Sequence, residues 1–154
     1  MFRILVLAAA SAGLSCVPID GGAVEAAWMV RSADGTPSTC ACSAPSIVHV
    51  RLSLVGVSAG VKDMRPCDGR GVCQFDCPVN RGATPFDIPP GSYLMSLLAT
   101  DATGNDLGAG GRITPPAPVL RDVVRGQPTQ LDVAAIVTAC SGCVANKNPA
   151  CSSP

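Results

Sequence analysis

Ile47-Val48-His49-Val50-Arg51-Leu52-Ser53-Leu54-Val55 is the stretch on which the fold class turns. Apolar and polar side chains alternate along it, and a β-strand sends successive side chains to opposite faces. Val48, Val50, Leu52 and Leu54 are expected on a buried face, with His49, Arg51 and Ser53 on a wet one. Upstream the same period returns, with Val24, Ala26, Trp28 and Val30 on one face and Glu25, Ala27, Met29 and Arg31 on the other. Ala33-Asp34-Gly35-Thr36-Pro37 then reads as a turn.

Downstream, a loop rich in glycine and cysteine runs from Asp63 to Arg81, with a short strand expected over Val72 to Asp76. Pro85 to Ile88 and the turn Pro89-Pro90-Gly91 lead into Tyr93 to Thr100, apolar enough to be expected under cover on both faces. Asp101-Ala102-Thr103-Gly104-Asn105 has the composition of a hairpin turn. Val119 to Val124 and Leu131 to Val137, separated by Arg125-Gly126-Gln127-Pro128, read as a closing pair of strands. Thr138 to Pro154 has no periodicity. About seven short strands with turns about every 8–12 residues indicate an all-β chain, organised as a β-sandwich. One domain of this size buries roughly two thirds of its unfolded surface. With one Trp, one Tyr and three Phe, the core must be built from small aliphatic residues, and crosslinks would help to hold it.

At Phe86-Asp87-Ile88-Pro89-Pro90-Gly91-Ser92-Tyr93 the chain resembles the carboxypeptidase regulatory-like, transthyretin-like and Cna-B-like domains, whose signature is an aliphatic pair, two prolines, a glycine and a tyrosine. The prolines and glycine make a tight corner and the tyrosine begins the next core strand. Ala99-Thr100-Asp101 with Gly104, and Val123 to Thr129 with Leu131, fall where such domains place a hairpin and the last strand. The resemblance spans Val24 to Val137 and implies an Ig-like or prealbumin-like β-sandwich. It implies no shared active site, because these domains serve mostly as spacers, stalks or binding modules. The added cysteines depart from most such domains.

The N-terminus carries a second resemblance. Met1-Phe2-Arg3 bears one positive charge, Ile4 to Ala12 is apolar, and Ser11 to Ser15 is small and weakly polar, the three zones of an export signal. This apolar run is too short to span a bilayer. Gly13-Leu14-Ser15 before Cys16 resembles the cleavage box of bacterial lipoprotein precursors, although Leu14 stands one place closer to the cysteine than the usual leucine. That resemblance implies cleavage before Cys16 and a lipid on its sulfur. Ala10-Ser11-Ala12 offers the alternative, an ordinary signal-peptidase site that would release a soluble protein and leave Cys16 as an odd thiol. The expected organisation is therefore a signal peptide over 1–15, a linker over 16–23, the sandwich over 24–137 and a cysteine-containing tail over 138–154.

Nine cysteines in so short a chain suit an oxidising compartment. With Cys16 set aside, Cys40, Cys42, Cys67, Cys73, Cys77, Cys140, Cys143 and Cys151 are the disulfide candidates. Odd numbers in the second and third clusters require a bridge leaving each. One bridge is expected within Cys67 to Cys77, one from Cys40 or Cys42 into that loop, one inside the tail and one from tail to body. A competing reading makes Cys40, Cys42, Cys140 and Cys143 a four-thiolate zinc site, but export disfavours reduced thiols. Cys140-Ser141-Gly142-Cys143 as a redox pair lacks the surrounding βαβ pattern.

Other chemistry is sparse. His49 is the only histidine, so no His-based metal site can be assembled, and beside Arg51 and Ser53 it reads as a strand residue facing solvent. Asp101, Asn105 and Asp106 lack the spacing and terminal glutamate of a calcium loop and suit a turn. Asp63, Asp68 and Asp76 have no partner for acid–base work. Gly108-Ala109-Gly110-Gly111 opens no helix and is no phosphate cradle. Eleven basic and eleven acidic residues balance, scattered singly, so no nucleic-acid partner is implied. These observations lead to a non-enzymatic envelope or surface lipoprotein, exported and held at the membrane through Cys16, with no cofactor and with an envelope protein or carbohydrate as partner. A secreted disulfide-rich binding protein or inhibitor, presenting the Cys67 to Cys77 loop, is the alternative.

Overall fold

A computed structural model describes residues 19–65, 67–69 and 73–139; Cys16 and the three tail cysteines Cys140, Cys143 and Cys151 lie outside them. The chain is all-β, in two sheets around a common core. One sheet contains β1 (Ala23–Ser32), β4 (Arg81–Ala83), β6 (Ile113–Thr114), β8 (Pro128–Gln130) and β9 (Ala134–Thr138). The other contains β2 (His49–Gly56), β3 (Gln74–Asp76), β5 (Gly91–Thr100) and β7 (Val119–Val123), in the order β3-β2-β5-β7.

Alternation does the work expected of it in β1, where Val24, Ala26, Trp28 and Val30 are all buried while Glu25 and Met29 are exposed. β4 runs antiparallel along one edge of β1, whereas β8 and then β9 follow one another in parallel along the other. The first and last of the described strands are thus neighbours with the same direction. In β2, Val50, Leu52 and Leu54 are fully buried, and each lies in register with an inward residue of β5, respectively Ala99, Leu97 and Met95. Val48 precedes the strand and is only half-buried.

Several expectations need correcting. Nine strands form among the described residues, where about seven were expected. Ser53, expected on the wet face, is 7% exposed: β2 is an inner strand, flanked by β5 on one side and by β3 and the Met64 bridge on the other, so a side chain this small is screened. β5 is covered on one face only; Tyr93, Met95, Leu97 and Ala99 are buried, but Leu94 is 39% exposed and lies opposite the exposed Leu120 of β7. The strand expected over Val72 to Asp76 begins at Gln74, Val72 lying outside the described residues. The two final segments are not a pair, since β7 joins β5 and β9 joins β1 and β6.

The Pro89-Pro90-Gly91 corner is tied from both ends. Tyr93 is fully buried, and its hydroxyl donates to Pro89 O at 2.8 Å. Burial raises the phenol's pKa above its ordinary value. Gly91 has φ 156°, and a Cβ there would stand 2.6 Å from Val61 Cγ2, so the strand starts with the one residue that fits.

Candidate functional site

Among the described residues, cysteine and aromatic side chains come together where the chain crosses between sheets, from β3 to β4. Cys77 sits at that crossing in a short 3-10 turn, its Cα 6.1 Å from that of Cys40 in disulfide geometry. Cys40 opens a second 3-10 turn, Cys40–Cys42, after β1. Trp28, inward on β1, stacks on Phe75 of β3 with ring centroids 6.0 Å apart. Phe75 in turn lies on Gly82 of β4, where a Cβ would run into its ring. Three strands from two sheets therefore meet around one aromatic pair, and alanine in place of Gly82 would push them apart.

Cys67 and Cys73 form the second pair at disulfide distance, with Cα atoms 5.5 Å apart and both side chains fully buried. Cys67 and Asp68 both take left-handed backbone, at φ 53°, a conformation that costs a non-glycine residue about 1 kcal/mol or more and persists where the surroundings fix it. Lys62 Nζ reaches Asp68 Oδ2 at 2.8 Å across the base of this loop. Cys42 is buried beside Cys40, with Thr39 Oγ1 3.4 Å from its sulfur. Of the four cysteines in the zinc reading, Cys40 stands at disulfide distance from Cys77, Cys42 is buried beside it, and Cys140 and Cys143 lie outside the described residues.

The carboxylates of the cysteine loop each meet a basic side chain and not one another. Asp63 stands 3.4 Å from Arg65, and Asp76, in register with His49 across β2 and β3, has its Oδ1 3.7 Å from His49 Nε2. His49 is half-buried at 26% side-chain exposure, less open than a solvent-facing residue. Its neighbour Arg51 donates through Nε to Gln74 Oε1 at 2.8 Å. Such paired, partly exposed charges are ordinary strand-edge contacts worth little individually.

Asp101 is built into a turn. Its Oδ1 accepts from Thr103 N at 2.9 Å, Thr103 Oγ1 at 2.7 Å and Asn105 N at 3.0 Å, and its Oδ2 from Asn105 Nδ2 at 3.2 Å. The Thr103 hydroxyl, with the Asn105 and Thr103 donors behind it and against the opposing effect of burial, lowers its pKa to about 2. Asp106 Oδ1 accepts from Gly108 N at 2.8 Å. Both carboxylates are thus used by their own loop, as the turn reading requires.

Between β4 and the segment linking β8 to β9 lies an open groove of about 620 Å³, on the outer face of the five-stranded sheet. Ala27 and Ala83 form part of its lining, the exposed Val79 and Val133 contribute apolar surface, and Glu25, Gln130 and Arg81 add polar groups. Gln130 Nε2 already donates to Glu25 Oε2 at 3.3 Å. Neither exposed valine carried a sequence signal, because an isolated valine in a loop reads like any other. Among the described residues no helix is long and apolar enough to cross a membrane.

Comparison of the chain with protein-family models, with characterised proteins and with solved structures returns no match.

Proposed function

We propose that the protein is an exported envelope or surface protein, anchored through lipid on Cys16, whose two sheets make a prealbumin-like or Ig-like sandwich acting as a structural or interaction module without catalysis. The observation that carries this reading is the cysteine usage: Cys40 with Cys77 and Cys67 with Cys73 stand at disulfide distance in a β-scaffold with few aromatics, behind an apolar N-terminal run, Ile4 to Ala12, that shortly precedes Cys16. Disulfides persist in compartments reached by export. The remaining chemistry supports a binding role over a catalytic one, since the carboxylates described above are engaged by basic neighbours or by their own turns. The outer groove, with exposed Val79 and Val133 beside Arg81 and Glu25, favours recognition of a partner and equally suits a secreted binding protein.

Fractionation together with intact-mass measurement decides between anchoring and release. The wild type should sediment with membranes and carry the mass of an acylated N-terminal Cys16, and Cys16→Ala should leave the membrane fraction or remain uncleaved. A mature protein beginning after Ala12, unacylated and soluble, would overturn the anchored reading in favour of the secreted one.

A further inference from the structure

We propose that the end of the two sheets at which β1 and β5 begin lies against the lipid bilayer, with Ile19, Val57, Phe86 and Val124 in contact with the membrane surface. This deepens the anchored-module reading and rests on it.

Large apolar side chains gather at that end. Ile19, Val57, Phe86 and Val124 are each 42–54% exposed. Backbone contacts bring their segments together: Gly22 N donates to Ile88 O at 2.9 Å and Ile88 N to Gly22 O at 3.1 Å, while Gly126 N donates to Gly21 O at 2.9 Å. Gly21 and Gly22, just after Ile19, are thus clamped between the segment of Phe86 and that of Val124. The clamp is tight, because a Cβ on Gly21 would meet the backbone of Asp87 and Ile88, and one on Gly22 the backbone of Val124. Val123 lies in register with Gly91 at the start of β5, and Val57 N donates to Ser92 O at 3.0 Å on the other side of that strand. At the far ends of β1 and β5 the turns over 33–36 and 101–106 expose only small or polar side chains. Apolar surface gathered in this way marks a contact with a membrane or another protein.

The tether selects the membrane. Ile19 follows Cys16 by three residues, and a residue adds at most about 3.3–3.6 Å, so whatever path the link takes, Ile19 stays within about 11 Å of the lipid-bearing residue. The far ends of the strands stand about 30 Å away and have no such constraint. Apolar area buried here adds to that of the acyl chain, and membrane affinity grows with both. Asp20, Asp87 and Arg125, the exposed charges beside the patch, nearly cancel, so the contact is apolar and requires no anionic lipid.

The test uses the acylated mature protein, purified from membranes and reconstituted in phosphatidylcholine vesicles with and without brominated acyl chains. Phe86→Trp sets an indole in the patch and Ala102→Trp sets one in the far turn, while Trp28, 2% exposed, gives both the same background. On vesicles Phe86→Trp should emit at shorter wavelength and lose intensity with brominated lipid, at low and high salt alike, and Ala102→Trp should do neither. Val124→Trp, across the glycine clamp, should follow Phe86→Trp. Acylated variants that sediment with the vesicles yet show no difference between positions 86 and 102 would overturn the proposal and leave the anchor standing. A shift to shorter wavelength at position 86 without quenching would assign this end to a second copy of the chain and overturn it as well. An unacylated, soluble product would overturn the anchored reading and this inference together.

Discussion

The indole Nε1 of Trp28 donates to the carbonyl oxygen of Cys77 at 2.9 Å, so the core tryptophan of the first strand holds the peptide at which the chain passes from one sheet to the other. The same carbonyl accepts from Asn80 N at 3.2 Å, and Cys77 N donates to Val48 O at 2.9 Å. With its sulfur turned to Cys40, Cys77 is fixed through its amide, its carbonyl and its side chain. Losing both donors would leave that buried carbonyl unsatisfied at a cost of about 1–3 kcal/mol.

This corner sets the ranking of the two bridges. The Cys40–Cys77 pair spans 37 residues and the Cys67–Cys73 pair spans 6. By chain entropy, replacing Cys40 and Cys77 with alanine should lower the unfolding free energy by about 4 kcal/mol, and replacing Cys67 and Cys73 by about 2 kcal/mol. Denaturant unfolding followed through the fluorescence of Trp28, the only tryptophan, measures both. A larger loss for the short loop would mean that the crossing is held by its packing and hydrogen bonds and owes little to the crosslink.

Register is tested by a pair of leucines. Leu52 is fully buried opposite Leu97, whereas Leu120 is 58% exposed at the outer strand β7. Leu52→Ala should cost about 2–5 kcal/mol through lost burial and a residual cavity. Leu120→Ser should stay within about 0.5 kcal/mol. Similar midpoints in urea for the two variants would show that β2 or β7 faces the other way.

Strands long enough to alternate were legible in the sequence. β1, β2 and β5 each bury one apolar face, and that periodicity is written in their own residues. β4, β6 and β8 were not legible, since Arg81–Ala83, Ile113–Thr114 and Pro128–Gln130 are too short to show a period and are strands only because a longer neighbour pairs with them. The parallel placing of β9 beside β1 was hidden for a different reason. Residue type does not encode which sheet a strand joins, and here the last strand returns to the first across most of the chain. Within the candidate site, the cysteines could be picked out individually, but the Trp28, Phe75 and Gly82 stack arises from three distant segments and leaves no local pattern. The outer groove depends in the same way on β4 and on the segment after β8 coming together.

Asp101 gives the fold an acid-sensitive turn whose sign can be worked out. Its pKa falls from the ordinary 3.8 to about 2 because the Thr103 hydroxyl and the Thr103 and Asn105 amide groups donate to the ionised carboxylate. A carboxyl group with a lowered folded pKa stabilises the fold above its unfolded value; that contribution shrinks as the pH drops below about 4 and is gone below about 2. Asp101→Asn preserves the shape of the side chain and removes the charge. The variant should be less stable than the wild type at pH 5, and the difference should narrow steadily towards pH 2. Denaturant midpoints across that range are the measurement. Two curves running parallel from pH 5 to pH 2 would show that the turn draws no stability from the charge on Asp101.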